Sequence, residues 1–125
     1  MKGILLSDFF EIISQQEAEK NLSTKVKIKL NHQIFEGHFP NRPITPGVCL
    51  MQIVKEILMQ KTQLSLLMVE NSNTKFLNPV NPFENDIITV SITYSIELTH
   101  ITVAVIISHE TKVFCKFRAL YNIVL

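Results

Sequence analysis

The sequence predicts an α+β domain in which an antiparallel sheet curls round one central helix. Three observations carry that expectation. A single stretch, Val48 to Gln60, has the length of a true helix and is apolar round nearly its whole circumference, so protein should surround it. Everything after it is rich in Val, Ile, Thr, Phe and Tyr, the residues that favour strands. The last two breaks between those runs, Thr99-His100 and Glu110-Thr111, are short enough for hairpins, which make antiparallel neighbours.

In chain order, residues 4–16 carry Ile4, Leu5, Phe9, Ile12 and Ile13 at spacings near three and four, which predicts a short amphipathic helix. Residues 23–30 alternate, with Lys25, Lys27 and Lys29 between Val26, Ile28 and Leu30. This reads as a strand with a charged face in water, or as a docking patch for an acidic partner. Gly37 to Pro46 holds three prolines and a glycine, so it is a loop of restricted shape. Thr45 suits an N-cap and Pro46 the first helical position. The strand-like runs are Leu66 to Phe76, Ile87 to Leu98, Ile101 to His109 and Lys112 to Ile123. Asn78-Pro79 and Asn81-Pro82 punctuate the first gap. A helix with a long antiparallel sheet is the pattern of one layered domain, here spanning residues 1–125.

The 125 residues are 46% apolar, enough to bury a core. A formal charge of +1 gives no reason to expect nucleic acid. Asp8 and Glu11 interrupt the apolar start, and no run reaches the ~20 residues needed to span a bilayer. A soluble, cytoplasmic protein without membrane partners is expected. Cys49 and Cys115 both sit in apolar segments and read as buried thiols of a reducing compartment. Cys49 also falls near a helix start, which can lower a thiol pKa, but packing is its expected role. His32 and His38 stand six apart in a loop-like stretch, and no spacing among the histidines and cysteines makes a zinc set, so no metal is expected. His100 and His109 fall at strand ends and read as surface residues.

The informative segment precedes the helix. A rigid loop sets His38 a few residues upstream of a helix N-terminus. An imidazole with an unperturbed pKa of about 6.5 suits proton abstraction near neutrality. Pro46 has no N–H, so Gly47 offers the first donor within the helix, and without a Cβ it lets a carbonyl approach its backbone closely. A donor there can stabilise an enolate-like oxyanion. Taken alone, a loop histidine is more often a hydrogen-bonding or surface residue.

Gly37 through Val48 resembles the GHFPxRPxxPGV signature of the bacterial 3-hydroxyacyl-acyl-carrier-protein dehydratases. It matches at Gly37, His38, Phe39, Pro40, Arg42, Pro43, Pro46, Gly47 and Val48. Lys75-Phe76-Leu77-Asn78-Pro79-Val80 is similar to the family's strand ending in a Phe…Pro-Val corner, and the likeness runs from about residue 28 to the end. The resemblance implies a hotdog fold and a dimer with its active sites at the subunit interface. It implies that His38 removes the α-proton of a 3-hydroxyacyl thioester while the Gly47 amide holds the carbonyl oxygen. Phe39, Pro46 and Val48 would then line the substrate. The partner implied is acyl-carrier protein with a phosphopantetheine-linked substrate. The assembly would be a homodimer, a higher assembly of dimers, or a heterodimer. No cofactor is expected, since the thioester carbonyl itself acidifies the α-proton. Arg42 would either brace the loop or meet the pantetheine phosphate. Lys112, Lys116 and Arg118 read as a solvated face that an acidic carrier could also use.

The family's third element is an acid on the central helix, fourteen positions after the histidine and given by the other subunit. Here that position is Gln52, and an amide cannot donate a proton as a carboxylic acid does. Losing a general acid costs about 10²–10⁴ in rate. The family commonly has a glutamine four residues further on, where this chain has Glu56, so carboxylate and amide have exchanged places. Residues i and i+4 share a helix face. Glu56 either supplies the acid while Gln52 orients the substrate hydroxyl, or forms an ion pair with Lys55 or an N-terminal residue. The expected activity is dehydration of a (3R)-hydroxyacyl thioester to a trans-2-enoyl thioester, in fatty acid or polyene-pigment synthesis. The alternatives are a non-catalytic hotdog partner subunit that binds acyl chains, and an acyl-thioester hydrolase.

Overall fold

Alternation of apolar and polar residues sets one face of the inner strands against the core. The computed structural model describes residues 9–30 and 44–124. Six strands form: β1 (Phe10–Ala18), β2 (Asn21–Ile28), β3 (Ser65–Phe76), β4 (Ile87–Ile96), β5 (His100–His109) and β6 (Lys112–Val124). They make one antiparallel sheet in the order β1-β2-β4-β5-β6-β3, and the helix α1 (Gly47–Thr62) is inserted between β2 and β3. This is the expected hotdog architecture.

Register lines the core up in rows across the sheet. Leu22 faces Ile92, Ile92 faces Val105, and Val105 faces Phe117, all buried. The next row runs Thr24, Val90, Ile107, Cys115 and Phe76. Cys49, Leu50, Ile53, Val54, Ile57 and Leu58 of α1 are buried in the same core as these rows. Fully burying an aliphatic side chain of this size contributes about 1.5–3 kcal/mol. The sequence suggests an enclosed helix, but the described residues cover only part of it. Val48 is 75% exposed, and Met51, Gln52, Lys55, Glu56 and Met59 are half-buried. One sheet covers one side of a helix, and the remaining apolar residues of this one are left partly uncovered among the described residues.

The amphipathic helix expected over residues 4–16 is corrected from residue 10 onward, where the chain is β1; residues 4–8 lie outside the described residues. The doublet Ile12-Ile13 mimics helical spacing. A register irregularity between Ile12 and Ser14 absorbs Ile13 as an extra residue and leaves it 49% exposed. The β1–β2 turn is made by Glu19 (φ 37°) and Lys20 (φ 66°), both in the left-handed region that a two-residue hairpin needs. The strand expected over 23–30 begins at Asn21 and ends at Ile28, and the four later strands and both hairpins stand within two residues of expectation.

The helix start also differs. Pro46 is the N-cap, with ψ 146°, and Gly47 is the first helical residue, with no side-chain cap. The Thr45 N–H instead donates to the Val80 carbonyl (2.8 Å), which holds Thr45 in the extended link one position too early to cap. Its hydroxyl is buried without a hydrogen-bond partner among the described residues. At the other end Gln63, with φ 60°, closes the helix through its N–H to the Met59 carbonyl (2.8 Å). Cys49 and Cys115 are buried free thiols. No described helix is long and apolar enough to cross a membrane.

Candidate active site

The start of α1 is the natural place to build from. The Pro46 carbonyl accepts from both Cys49 N–H (3.0 Å) and Leu50 N–H (3.3 Å). The Gly47 and Val48 N–H groups take no acceptor among the described residues. They are the orphan donors of a helix N-terminus, at the positive end of its dipole.

At position 47 a side chain would displace a packed neighbour. A Cβ there would stand 2.6 Å from Cζ and 2.8 Å from Cε1 of Phe76, closer than real carbon atoms approach. The far end of the Phe76 ring, at the end of β3, therefore lies against the helix start. Beside it opens a cleft of ≈ 370 Å³, between Ile44–Gly47 and Leu50 on one side and Phe76–Val80 on the other. The Thr45–Val80 hydrogen bond ties its two walls together. Pro46 and Gly47 both line this cleft. Val48, expected to touch substrate, is outside the cleft lining and turned to solvent.

Gln52 and Glu56 form the second feature. Gln52 Nε2 donates to Glu56 Oε2 at 3.2 Å, one helical turn along. Burial pushes the Glu56 carboxyl above the ordinary carboxylate range, against smaller downward pulls from the Gln52 amide and the Lys55 charge. Among the described residues no ion pair forms at Glu56, so its partner is the amide. Val48, Gln52 and Glu56 follow one another at i+4 along the uncovered face, flanked by Met51 and Met59.

These two features do not converge within one chain. Glu56 is nine residues after Gly47, about 13.5 Å along the axis and half a turn round it. Gly47 faces Phe76 and the cleft, whereas Gln52 and Glu56 are not part of that cleft's lining. His38, Phe39 and Arg42 lie outside the described residues. Cys49 is a packing residue whose thiol burial pushes up, contrary to activation by the helix start. His109 takes a structural place, its Nδ1 2.8 Å from the Ile87 carbonyl. Among the described residues no cluster of His, Cys, Asp or Glu could hold a metal ion. Sequence reasoning finds the Phe76–Val80 corner as a motif, but not as a wall of the cleft.

Residues 14–118 match the ApeI-like family, described as ApeI dehydratase. The chain is 28% identical over 82 residues to a 3-hydroxyacyl-[acyl-carrier-protein] dehydratase FabZ of Fusobacterium nucleatum, covering 57% of this chain and 54% of that one. The matched share of a curated relative falls to 28% for the Xanthomonas euvesicatoria FabZ, so the chain spans between about a quarter and a half of these relatives. Among solved structures, the ApeI:P dehydratase heterocomplex of Xenorhabdus doucetiae superposes with a TM-score of 0.64 at 17% identity, over 92% of this chain and 97% of that one. A Streptococcus pneumoniae hypothetical thioesterase with coenzyme A gives 0.66 at 15% identity, over 97% and 90%. At such identities the structural likeness establishes the fold alone.

Proposed function

The chain belongs to the ApeI-like dehydratase family, and on that premise we propose that it reversibly dehydrates a (3R)-hydroxyacyl thioester, borne by acyl-carrier protein, to the trans-2-enoyl thioester. The observation that carries this reading is the hydrogen-bonded Gln52–Glu56 pair on an uncovered helix face, with a carboxyl whose proton is held more tightly than usual. In the mechanism, His38 takes the α-proton and the C–H electron pair becomes the new C=C bond. The Gly47 N–H receives the charge gathering on the thioester oxygen. Glu56 gives its proton to the β-hydroxyl, so the C–O bond breaks with water as the leaving group, and Gln52 orients that hydroxyl. The proton on His38 then returns to Glu56 through solvent. A carboxyl raised above its usual range is protonated in a larger fraction of molecules near neutrality, which is what a general acid requires.

Because Gly47 and Glu56 look in opposite directions, one complete site takes its base and oxyanion donor from one subunit and its acid from another. The half-buried Met51, Gln52, Glu56 and Met59, with exposed Val48, form the surface that such a neighbour would cover. A second copy or a related hotdog subunit fits this role, and size-exclusion with pull-down separates the two. The test of activity is purified protein incubated with 3-hydroxyacyl-carrier substrate and followed by mass for loss of water. Glu56→Gln should lower turnover by about 10²–10⁴ and Gln52→Ala by less. Unchanged turnover in Glu56→Gln removes the acid assignment. The hydrolase alternative is separated by the same incubation, since it releases a free thiol and no enoyl product.

A further inference from the structure

We propose that the outer face of the sheet carries a docking site for the acidic face of the acyl-carrier protein, centred on Lys75, Lys116 and Arg118. The proposal rests on the dehydratase reading above, which needs a carrier-borne substrate. These three side chains line a depression of ≈ 290 Å³ on the side away from α1. Register places them together: Lys116 stands opposite Lys75 on one side and Ile106 on the other, and Arg118 stands opposite Ser72 and Ala104. An irregularity between Ser72 and Lys75, with Asn73 at φ 53°, bends the edge strand and shapes the concavity.

Nothing in the fold favours this arrangement. Like charges directly opposite on neighbouring strands are destabilising, by roughly 0.2–1 kcal/mol. No carboxylate lines the depression, and among the described residues none of the three cations has an ion-pair partner. The missing counter-charge is therefore to be supplied from outside. A symmetric pairing of two such faces cannot supply it, since this face repels itself. A free phosphate is poorly served, because the strands' backbone N–H groups are spent in the ladders and only side chains remain. The floor includes Ile106, 43% exposed, which suits an apolar side chain set among carboxylates on a protein surface.

The position links the depression to the candidate active site. Successive residues of a strand point to opposite faces, so Lys75 lines the depression while Phe76, the next residue, lies against Gly47. Leu77–Val80 then wall the cleft. A carrier seated on Lys75, Lys116 and Arg118 would lead its pantetheine arm round the end of β3 to the helix start.

The test uses fluorescently labelled holo-acyl-carrier protein without an acyl group, so that binding is read by anisotropy independently of turnover. Wild type should bind with an affinity that falls with added salt. Lys116→Glu with Arg118→Glu should weaken binding by about tenfold or more, and the milder Lys116→Gln with Arg118→Gln by less. Thermal melts of each confirm folding. Lys25→Glu, on the same face but outside the depression, should change affinity much less. Wild-type affinity in the double charge reversal overturns the proposal, as does equal weakening by Lys25→Glu. Competition by inorganic phosphate at matching concentrations also overturns it and assigns a phosphate site instead. The two readings fail differently. A chain that binds the carrier through this face but removes no water loses the dehydratase reading alone. One that dehydrates carrier-borne substrate with the same KM after charge reversal loses the docking site alone.

Discussion

Replacing Gly47 by alanine sets two opposed effects against each other, and a double-mutant cycle with Phe76→Ala separates them. Gly47 has no positive φ, so a helical alanine there should gain about 0.4–1 kcal/mol by narrowing the unfolded ensemble. The new Cβ meets the Phe76 ring at 2.6 Å, whereas carbon contacts settle near 3.5–4.0 Å, so the ring must retreat by about 1 Å or swing out. Phe76 is already 57% exposed. Swinging it out forfeits less than half of the ~1.5–3 kcal/mol that full burial of such a side chain is worth, about 1 kcal/mol. Gly47→Ala alone should therefore be nearly neutral in denaturant melts, while in a Phe76→Ala background it should stabilise by ~0.5–1 kcal/mol. The coupling expected is about 1 kcal/mol, within the range for residues in contact. A coupling below about 0.3 kcal/mol would refute the claim that the ring is what keeps position 47 a glycine.

Three further outcomes follow from particular residues. The folded-state carboxyl of Glu56 is raised, so its stabilising contribution is present below the unfolded carboxylate pKa and lost as pH rises through the folded value. Glu56→Gln should accordingly melt higher than wild type at pH 7, with the gap closing as pH falls through the carboxylate range; a gap that widens on acidification contradicts this. Burial pushes the Cys115 thiol up to about 11, and Cys49 in the same direction, so neither should alkylate at pH 8 until the chain unfolds. Prompt labelling of the native protein would contradict that burial. Lys20 holds φ 66° in the β1–β2 turn, and Lys20→Gly should stabilise by about 0.5–1 kcal/mol in denaturant melts.

The helix is legible from its length and dense apolar content, and the last four strands from their β-favouring residues and the breaks between them. β1 is not, since Ile12 and Ile13 together satisfy a helical spacing and only pairing with β2 reveals the bulge between Ile12 and Ser14. The helix start is misjudged by one residue. Thr45 is a good capping residue by type, but its N–H is taken by Val80, far away in sequence. The candidate site divides the same way. Gln52 and Glu56 are local, and their i+4 pairing is readable from spacing alone. The Phe76 ring against Gly47 depends on β3 reaching the far edge of the sheet, which no local pattern states. Phe76 faces Cys115 in the register, and that long-range pairing decides which way its ring points.

The central claim is that one site draws Gly47 and His38 from one subunit and Glu56 from another. Mixing His38→Ala with Glu56→Gln after unfolding, and refolding them together, tests it in the dehydration assay. Each variant alone should be nearly inactive. If sites are shared, each mixed dimer contains one intact site, and the pool should recover about a quarter of wild-type activity. Recovery no greater than the sum of the two separate variants would contradict the account.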